Sequence, residues 1–310
     1  MREPTPYGKY LLLERIAIGG MAEVWVAEAR DRPGRRYALK RLLPTLADDR
    51  AFVTMFLDEA RIGAQLDHPG IVPVHDLGRV GASYYLAMDY VPGADLGALL
   101  GRLRAAGQHL PVRLAAFVAA RAAAALDHAH RARGHDGAPL QVVHRDLSPA
   151  NVLLGFGGGV FIIDFGIAQA ALRSRREGDA LRGKLGYLSP EQVRGLPVDR
   201  RADVFSLGAV LHEALTGARL FAGASDLATL ERVRAAQVRP PSEKNPAVPP
   251  GLDAVVLRAL QREPADRYAW ASDLADALRP FAAGASPAAL AGELDARFPE
   301  EAARERARAP

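Results

Sequence analysis

The chain has 310 residues, 49% of them hydrophobic and 25% charged, ordinary values for a globular protein long enough for one large domain or two lobes. It contains no cysteine, which excludes disulfides and thiolate metal sites and permits a cytoplasmic location. A formal net charge of +4 is too slight to point to nucleic acid as a main partner; no apolar run could span a bilayer, and MREPTPYGKY lacks the apolar core of a signal peptide.

Tyr10 to Ile16 and Val24 to Ala29 read as two strands joined by a turn of small residues that includes Gly19 and Gly20. Tyr37 to Lys40 continues as a third strand, and its period-two alternation puts Ala38 and Lys40 on one face. Next, Phe52, Met55, Phe56, Ile62 and Leu66 define an apolar helical stripe on which Glu59 also falls. A carboxylate on a buried stripe is costly unless paired, and Lys40 is the candidate partner. Pro69 and Gly70 end that helix and lead into strands around Val74 and from Tyr84 to Met88. Leu110 to Arg133 reads as a long Ala-rich helix. His128 and His130 stand two apart on it, pointing to different sides, so they read as ordinary helix histidines and not as a metal pair.

The stretch VVHRDLSPANVLLGFGGGVFIIDFG, Val142 to Gly166, organises the rest. Two apolar runs, Val152 to Leu154 and Val160 to Ile163, flank a glycine-rich break, the pattern of a β-hairpin. Folding back antiparallel brings Asn151 and Asp164 together at the open end. An amide oxygen and a carboxylate there are hard oxygen donors suited to Mg²⁺ held jointly with substrate phosphates. Asp146 lies just upstream.

His144-Arg145-Asp146 with Asn151 following, then Asp164-Phe165-Gly166, resembles the catalytic loop and metal-binding motif of eukaryotic-like (Hanks-type) protein kinases, above all the bacterial Ser/Thr branch. The resemblance runs from about Tyr10 to Phe281. It implies an α+β, bilobal protein-kinase fold: an N-lobe (10–88) of antiparallel β-sheet plus one main helix, a hinge (89–93) and a mostly α-helical C-lobe (94–281). It implies ATP and Mg²⁺ as cofactors, with Mn²⁺ admissible, and protein substrates with Ser/Thr acceptors. Asp146 would then be the catalytic base, Asn151 and Asp164 the metal ligands, and Lys40 the phosphate-gripping lysine oriented by Glu59. Ile16, Gly19 and Gly20 would belong to the flap over the nucleotide. Met88, Asp89 and Val91 would line the hinge, with adenine between Val24 and Ala38 above and Leu153 below. Such kinases are often modules of longer membrane or sensor proteins.

Three departures from the family pattern stand out. The flap keeps only Gly19 of the usual three glycines, with Gly20 extra. Ser148 stands where a lysine usually follows the catalytic aspartate, and Lys184 where a threonine usually precedes the Tyr187-Leu188-Ser189-Pro190-Glu191 motif. The expectation is that these two have exchanged places, Lys184 supplying the cation beside Asp146 and Ser148 the supporting hydroxyl. Gly63 replaces a larger residue behind Glu59. These features keep open the alternative of a pseudokinase acting as a nucleotide-binding scaffold; the Ser189-Pro190-Glu191 segment with Arg267 disfavours a small-molecule phosphotransferase.

Ser174 is the one hydroxyl ahead of Tyr187 in the activation segment, a candidate site for self-phosphorylation against Arg145, with Glu177 or Asp179 as unmodified substitutes and Arg173, Arg175, Arg176 and Arg182 making the loop basic. Asp203 is expected beneath the catalytic loop and Arg267 against Glu191. Residues 282–310 read as a helical extension, with Leu290, Leu294 and Phe298 as a docking face, followed by a solvated charged tail.

Overall fold

The computed structural model describes residues 3–134, 136–165 and 183–308. Strands β1 (Thr5–Tyr7), β2 (Tyr10–Ile18), β3 (Ala22–Ala29), β4 (Arg32–Leu42), β5 (Val74–Val80) and β6 (Ser83–Asp89) form, among the described residues, an antiparallel sheet in the order β1-β2-β3-β4-β6-β5. One face of this sheet carries an aromatic cluster with Tyr10, Tyr37, Leu39 and Tyr85. The other packs Leu42 and Leu86 against Phe56 and Ala60 of α1 (Arg50–Gly63), whose first turn is closed by the Asp49 carboxylate accepting from Ala51 N–H at 3.0 Å.

Gly63 at the end of α1 has a packing reason, since a Cβ there would lie 2.7 Å from the Val74 side chain. Val74 of β5 thus fills the space that a larger residue at 63 would occupy. This departure from the family pattern is compensated in the packing.

The second lobe is helical around one large core. The small sheet of β7 (Gly93–Asp95), β8 (Val152–Gly155) and β9 (Val160–Ile162) leads into α2 (Leu96–Ala105) and α3 (Val112–His130). The expected hairpin forms with Val152 opposite Ile162. After α4 (Pro190–Val193), opened by a Ser189/Gln192 capping box, comes α5 (Arg201–Thr216), buried along nearly its whole length. Then α6 (Asp226–Ala235), α7 (Pro250–Ala259) and α8 (Ala271–Leu278) complete the lobe. The antiparallel sheet with one main helix and the helical second part are the architecture that the sequence implied.

Beyond residue 282 the chain forms two helices, α9 (Pro287–Arg297) and α10 (Pro299–Ala307). Leu290, Leu294 and Phe298 are buried in the C-lobe core, the docking face read from their spacing. The charged tail expected after Pro299 is instead a helix: Pro fits its first turn, Glu300 and Glu301 follow at its positive end, and Arg304 and Arg306 occupy its last turn. Ala302 buries it locally. Among the described residues no helix is long and apolar enough to cross a membrane.

Candidate functional site

Lys40 sits mid-sheet on β4, opposite Val24 of β3 and Leu86 of β6, while Ala38 lies opposite Val26 and Met88. Directly opposed residues share a face. Val24, Ala38, Met88 and Lys40 therefore look to the side of the sheet on which α1 packs. There Lys40 Nζ donates to Glu59 Oε1 at 2.7 Å and to Asp164 Oδ1 at 2.8 Å. Burial alone would lower the lysine pKa, but the Asp164 and Glu59 carboxylates reverse it and hold the ammonium above its ordinary range. Burial pushes the Glu59 carboxyl up, against the pull of Lys40. For Asp164, burial acts in the same sense but is outweighed by Lys40, and its carboxyl stays below the usual range.

Ile163 N–H donates to the Asn151 carbonyl at 3.2 Å, closing the hairpin beside Asp164. The Asn151 amide nitrogen donates to the Asp146 carbonyl at 2.7 Å and to Asp146 Oδ2 at 3.1 Å. With its nitrogen committed, Asn151 keeps its side-chain oxygen as an acceptor. Lys184 Nζ reaches the same Asp146 Oδ2 at 2.6 Å. The exchange expected from the sequence is thus half assembled: Lys184 meets Asp146, whereas the buried Ser148 Oγ has no hydrogen-bond partner among the described residues.

The backbone ahead of Asp146 is held from below by Asp203 of α5, which accepts from His144 N–H at 2.8 Å and Arg145 N–H at 2.9 Å. His130 Nε2 lies 2.7 Å from Asp203 Oδ2. Burial would push the Asp203 carboxyl up, but the His130 bond and the other contacts hold it below its ordinary value. His130, read from the sequence as an ordinary helix histidine, thus supports the site through Asp203; its signal was the place four residues after Leu126, on the apolar stripe of α3. His144 Nε2 lies 2.9 Å from the Ile163 carbonyl, which can only accept, so Nδ1 is free to take Asp146 N–H at 3.3 Å. Arg145 and Asp164 both have φ of 64°, a left-handed conformation that costs a non-glycine residue roughly 1–3 kcal/mol. The Asp203 clamp and the Lys40 pair over-determine these positions.

Around this polar centre, Val24, Ala38, Met88, Val91 and Leu153 are only partly buried, and Ile16 is 47% exposed. Gly19 N–H donates to Ala22 O at 2.8 Å, shaping the turn, and nothing lies within 4 Å of a Cβ added at Gly20. Asp89 N–H is taken by Pro73 O at 3.0 Å, and its carboxylate by His75 at 2.7 Å and Arg35 at 3.2 Å. Gly166, Arg173, Ser174, Arg175, Arg176, Glu177, Asp179 and Arg182 lie outside the described residues.

A family model described as protein kinase domain matches residues 10–277. MasK of Myxococcus xanthus, named a tyrosine-protein kinase, is 42% identical over 98% of this chain and 48% of its own. PknB of Mycolicibacterium smegmatis, named a serine/threonine-protein kinase, is 41% identical over 87% of this chain and 43% of its own. The chain spans about half the length of the curated relatives it matches. The crystal structure of a cysteine-to-alanine mutant of the PknI kinase domain from Mycobacterium tuberculosis superposes with a TM-score of 0.69 at 30% identity, covering 91% of this chain and 99% of that one. With its motif residues gathered where the two lobes meet and these matches over most of its length, the chain belongs to the protein kinase family, in the bacterial eukaryotic-like branch.

Proposed function

We propose that the cleft transfers the γ-phosphoryl group of ATP to a serine or threonine hydroxyl of a protein substrate. The observation that carries this reading is the convergence of Lys40, Glu59 and Asp164 on one side with Asp146, Asn151 and Lys184 on the other. Among the described residues both side-chain bonds to Asp146 fall on Oδ2, leaving Oδ1 for an acceptor hydroxyl. As the acceptor oxygen bonds the γ-phosphorus, its proton passes to Asp146 and the bond to the bridging oxygen breaks, leaving ADP. Lys184, beside the receiving carboxylate, offsets charge on the moving phosphoryl group; Lys40 turns toward the α- and β-phosphates with Glu59 keeping it in place. Flap residues Ile16, Gly19 and Gly20 close over the nucleotide, and Val24, Ala38, Met88, Asp89, Val91 and Leu153 accept adenine.

The Asn151 side-chain oxygen and the Asp164 carboxylate form a hard donor set that fits Mg²⁺. Bound there with phosphate oxygens, the ion would neutralise triphosphate charge; Mn²⁺ suits the same donors. The domain is proposed to span residues 10–281 with the hinge at 89–93, and Ser174 is a candidate self-phosphorylation site.

A second reading, transfer to tyrosine, is favoured by the name of the 42% identical relative and by the absence of a lysine at position 148. Incubation with γ-labelled ATP, Mg²⁺ and a generic protein, with Asp146→Asn as control, followed by phosphoamino-acid analysis, tests both. Label on serine or threonine that is lost in Asp146→Asn supports the first reading, label on tyrosine the second. Nucleotide binding with no transfer by the parent chain would make it a pseudokinase.

A further inference from the structure

The helix pair at the C-terminal end touches both lobes. Its attachment to the C-lobe is apolar and deep, since Leu290, Leu294, Phe298 and Ala302 are all buried. The Arg102 guanidinium of α2 lies 3.9 Å from the Phe298 ring centre and also binds Glu301 and the Arg297 carbonyl. Pro287 packs directly on the turn of the β8–β9 hairpin: Gly158 has φ +81°, and a Cβ there would fall 1.8 Å from the Pro287 carbonyl oxygen. The extension therefore rests on the hairpin that carries Asn151 and Asp164 at its other end.

Its far end is different in kind. Arg36 of β4 reaches Glu305 at 3.4 Å and the Arg308 carbonyl at 2.6 Å. Arg308 in turn bonds Glu14 of β2 at 3.1 Å and Glu305 at 3.1 Å. Tyr90 of the hinge joins this group: burial raises its hydroxyl to about 12, and the neighbouring Glu305 carboxylate adds to the rise. Both N-lobe partners, Glu14 and Arg36, lie on the strands that flank the nucleotide flap or carry Lys40. Contacts of this polar type are individually weak and weaken further with salt, whereas the apolar face holds its side firmly. A strap fixed at one end and lightly fastened at the other can open and close without unfolding.

We propose that α9 and α10 form an interlobe clasp, seated permanently on the C-lobe and closed reversibly on β2, β4 and the hinge through Glu305, Arg36, Tyr90, Arg308 and Glu14, so that it sets the lobe angle. In the clasped form Lys40 of one lobe reaches Asp164 of the other, the closed geometry that a nucleotide needs. The consequence for nucleotide affinity rests on the kinase reading above; the consequence for lobe motion does not. Arg36, Glu305 and Arg308 act through the hinge and are positioning residues.

The test uses Arg36→Gln, Glu305→Gln and the double variant in the full chain, with a fluorescent ATP analogue and hydrogen exchange as readouts. Each single variant is expected to bind the analogue about 5- to 10-fold more weakly, in the lower range of allosteric coupling, with an unchanged melting temperature and faster exchange at residues 88–93 and 299–307. The double variant is expected to be no worse than either single one, because both break one clasp, and 0.5 M salt should weaken binding by the parent more than by the variants. Binding within twofold of the parent, tighter binding, or additive losses would overturn the clasp. If the parent binds no analogue, the kinase reading fails by itself, and exchange at 88–93 decides the clasp alone: faster in the variants supports it, unchanged overturns it.

Discussion

At the residue scale, the informative feature is the ammonium of Lys184 on Asp146 at 2.6 Å. A lysine in a surface loop is ordinarily solvated; here it is about one-third exposed and engaged with the proposed base. If it stabilises the moving phosphoryl group, Lys184→Ala should lower kcat by about 10²–10³, the scale of losing one preorganised charge donor, with KM for ATP within about threefold. Steady-state kinetics check this, and near-normal turnover would refute the role. The pairing of Lys40 with Glu59 was legible because a carboxylate on a buried stripe needs a partner, and the meeting of Asn151 with Asp164 from the hairpin pattern, whereas the part given to Asp146 came from the resemblance to the kinase motif. The part of His130 was not legible, since its partner Asp203 is 73 residues away. The placing of Ser148 without a partner was equally out of reach, because a hydroxyl carries no charge that demands one.

At the element scale, the join between α4 and the C-lobe core depends on Arg267. All five of its N–H donors are used: two on Glu191 at 2.7 Å each, and three on the carbonyls of Gln261, Arg201 and Arg262. Arg267→Met should cost about 3–5 kcal/mol, because it strands a buried carboxylate, and thermal unfolding should show a melting temperature lower by about 6–20 °C. Within α5, His212 is buried and its pKa is pushed down to about 4, with Lys244 and Asp253 as its charged neighbours. A histidine depressed below its unfolded value of about 6.5 adds stability above that pH and loses it as the pH falls toward 4. Urea unfolding of parent and His212→Gln should therefore converge between pH 6.5 and 4, by up to about 3 kcal/mol. Most of the strands, α1, α3 and the hairpin were readable from their apolar pattern. β1 was not, since Pro6 interrupts its pattern, and α10 was not, since charged residues dominate it and Ala302 is its one buried residue, which leaves no apolar stripe to read.

At the scale of the whole molecule, the lobes have unequal cores. The C-lobe shares one large cluster, while the N-lobe divides its apolar residues between the two faces of its sheet. Opening free energy follows buried apolar contact, so amide exchange should be slowest in α5, near Leu207 and Val210, and distinctly faster in β2 and β3; equal protection across both lobes would contradict this. The unequal lobes suit a cleft whose upper wall moves over a firm floor, and the six charged or amide side chains at their junction are what that motion would bring onto a triphosphate. The most direct measurement is a crystal structure with a non-hydrolysable ATP analogue and Mg²⁺. The account predicts the triphosphate in the interlobe cleft, Lys40 still on Glu59 but turned from Asp164 to phosphate oxygens, and the ion on Asn151 and Asp164. A nucleotide bound elsewhere, or a metal held without either of those two residues, would contradict it.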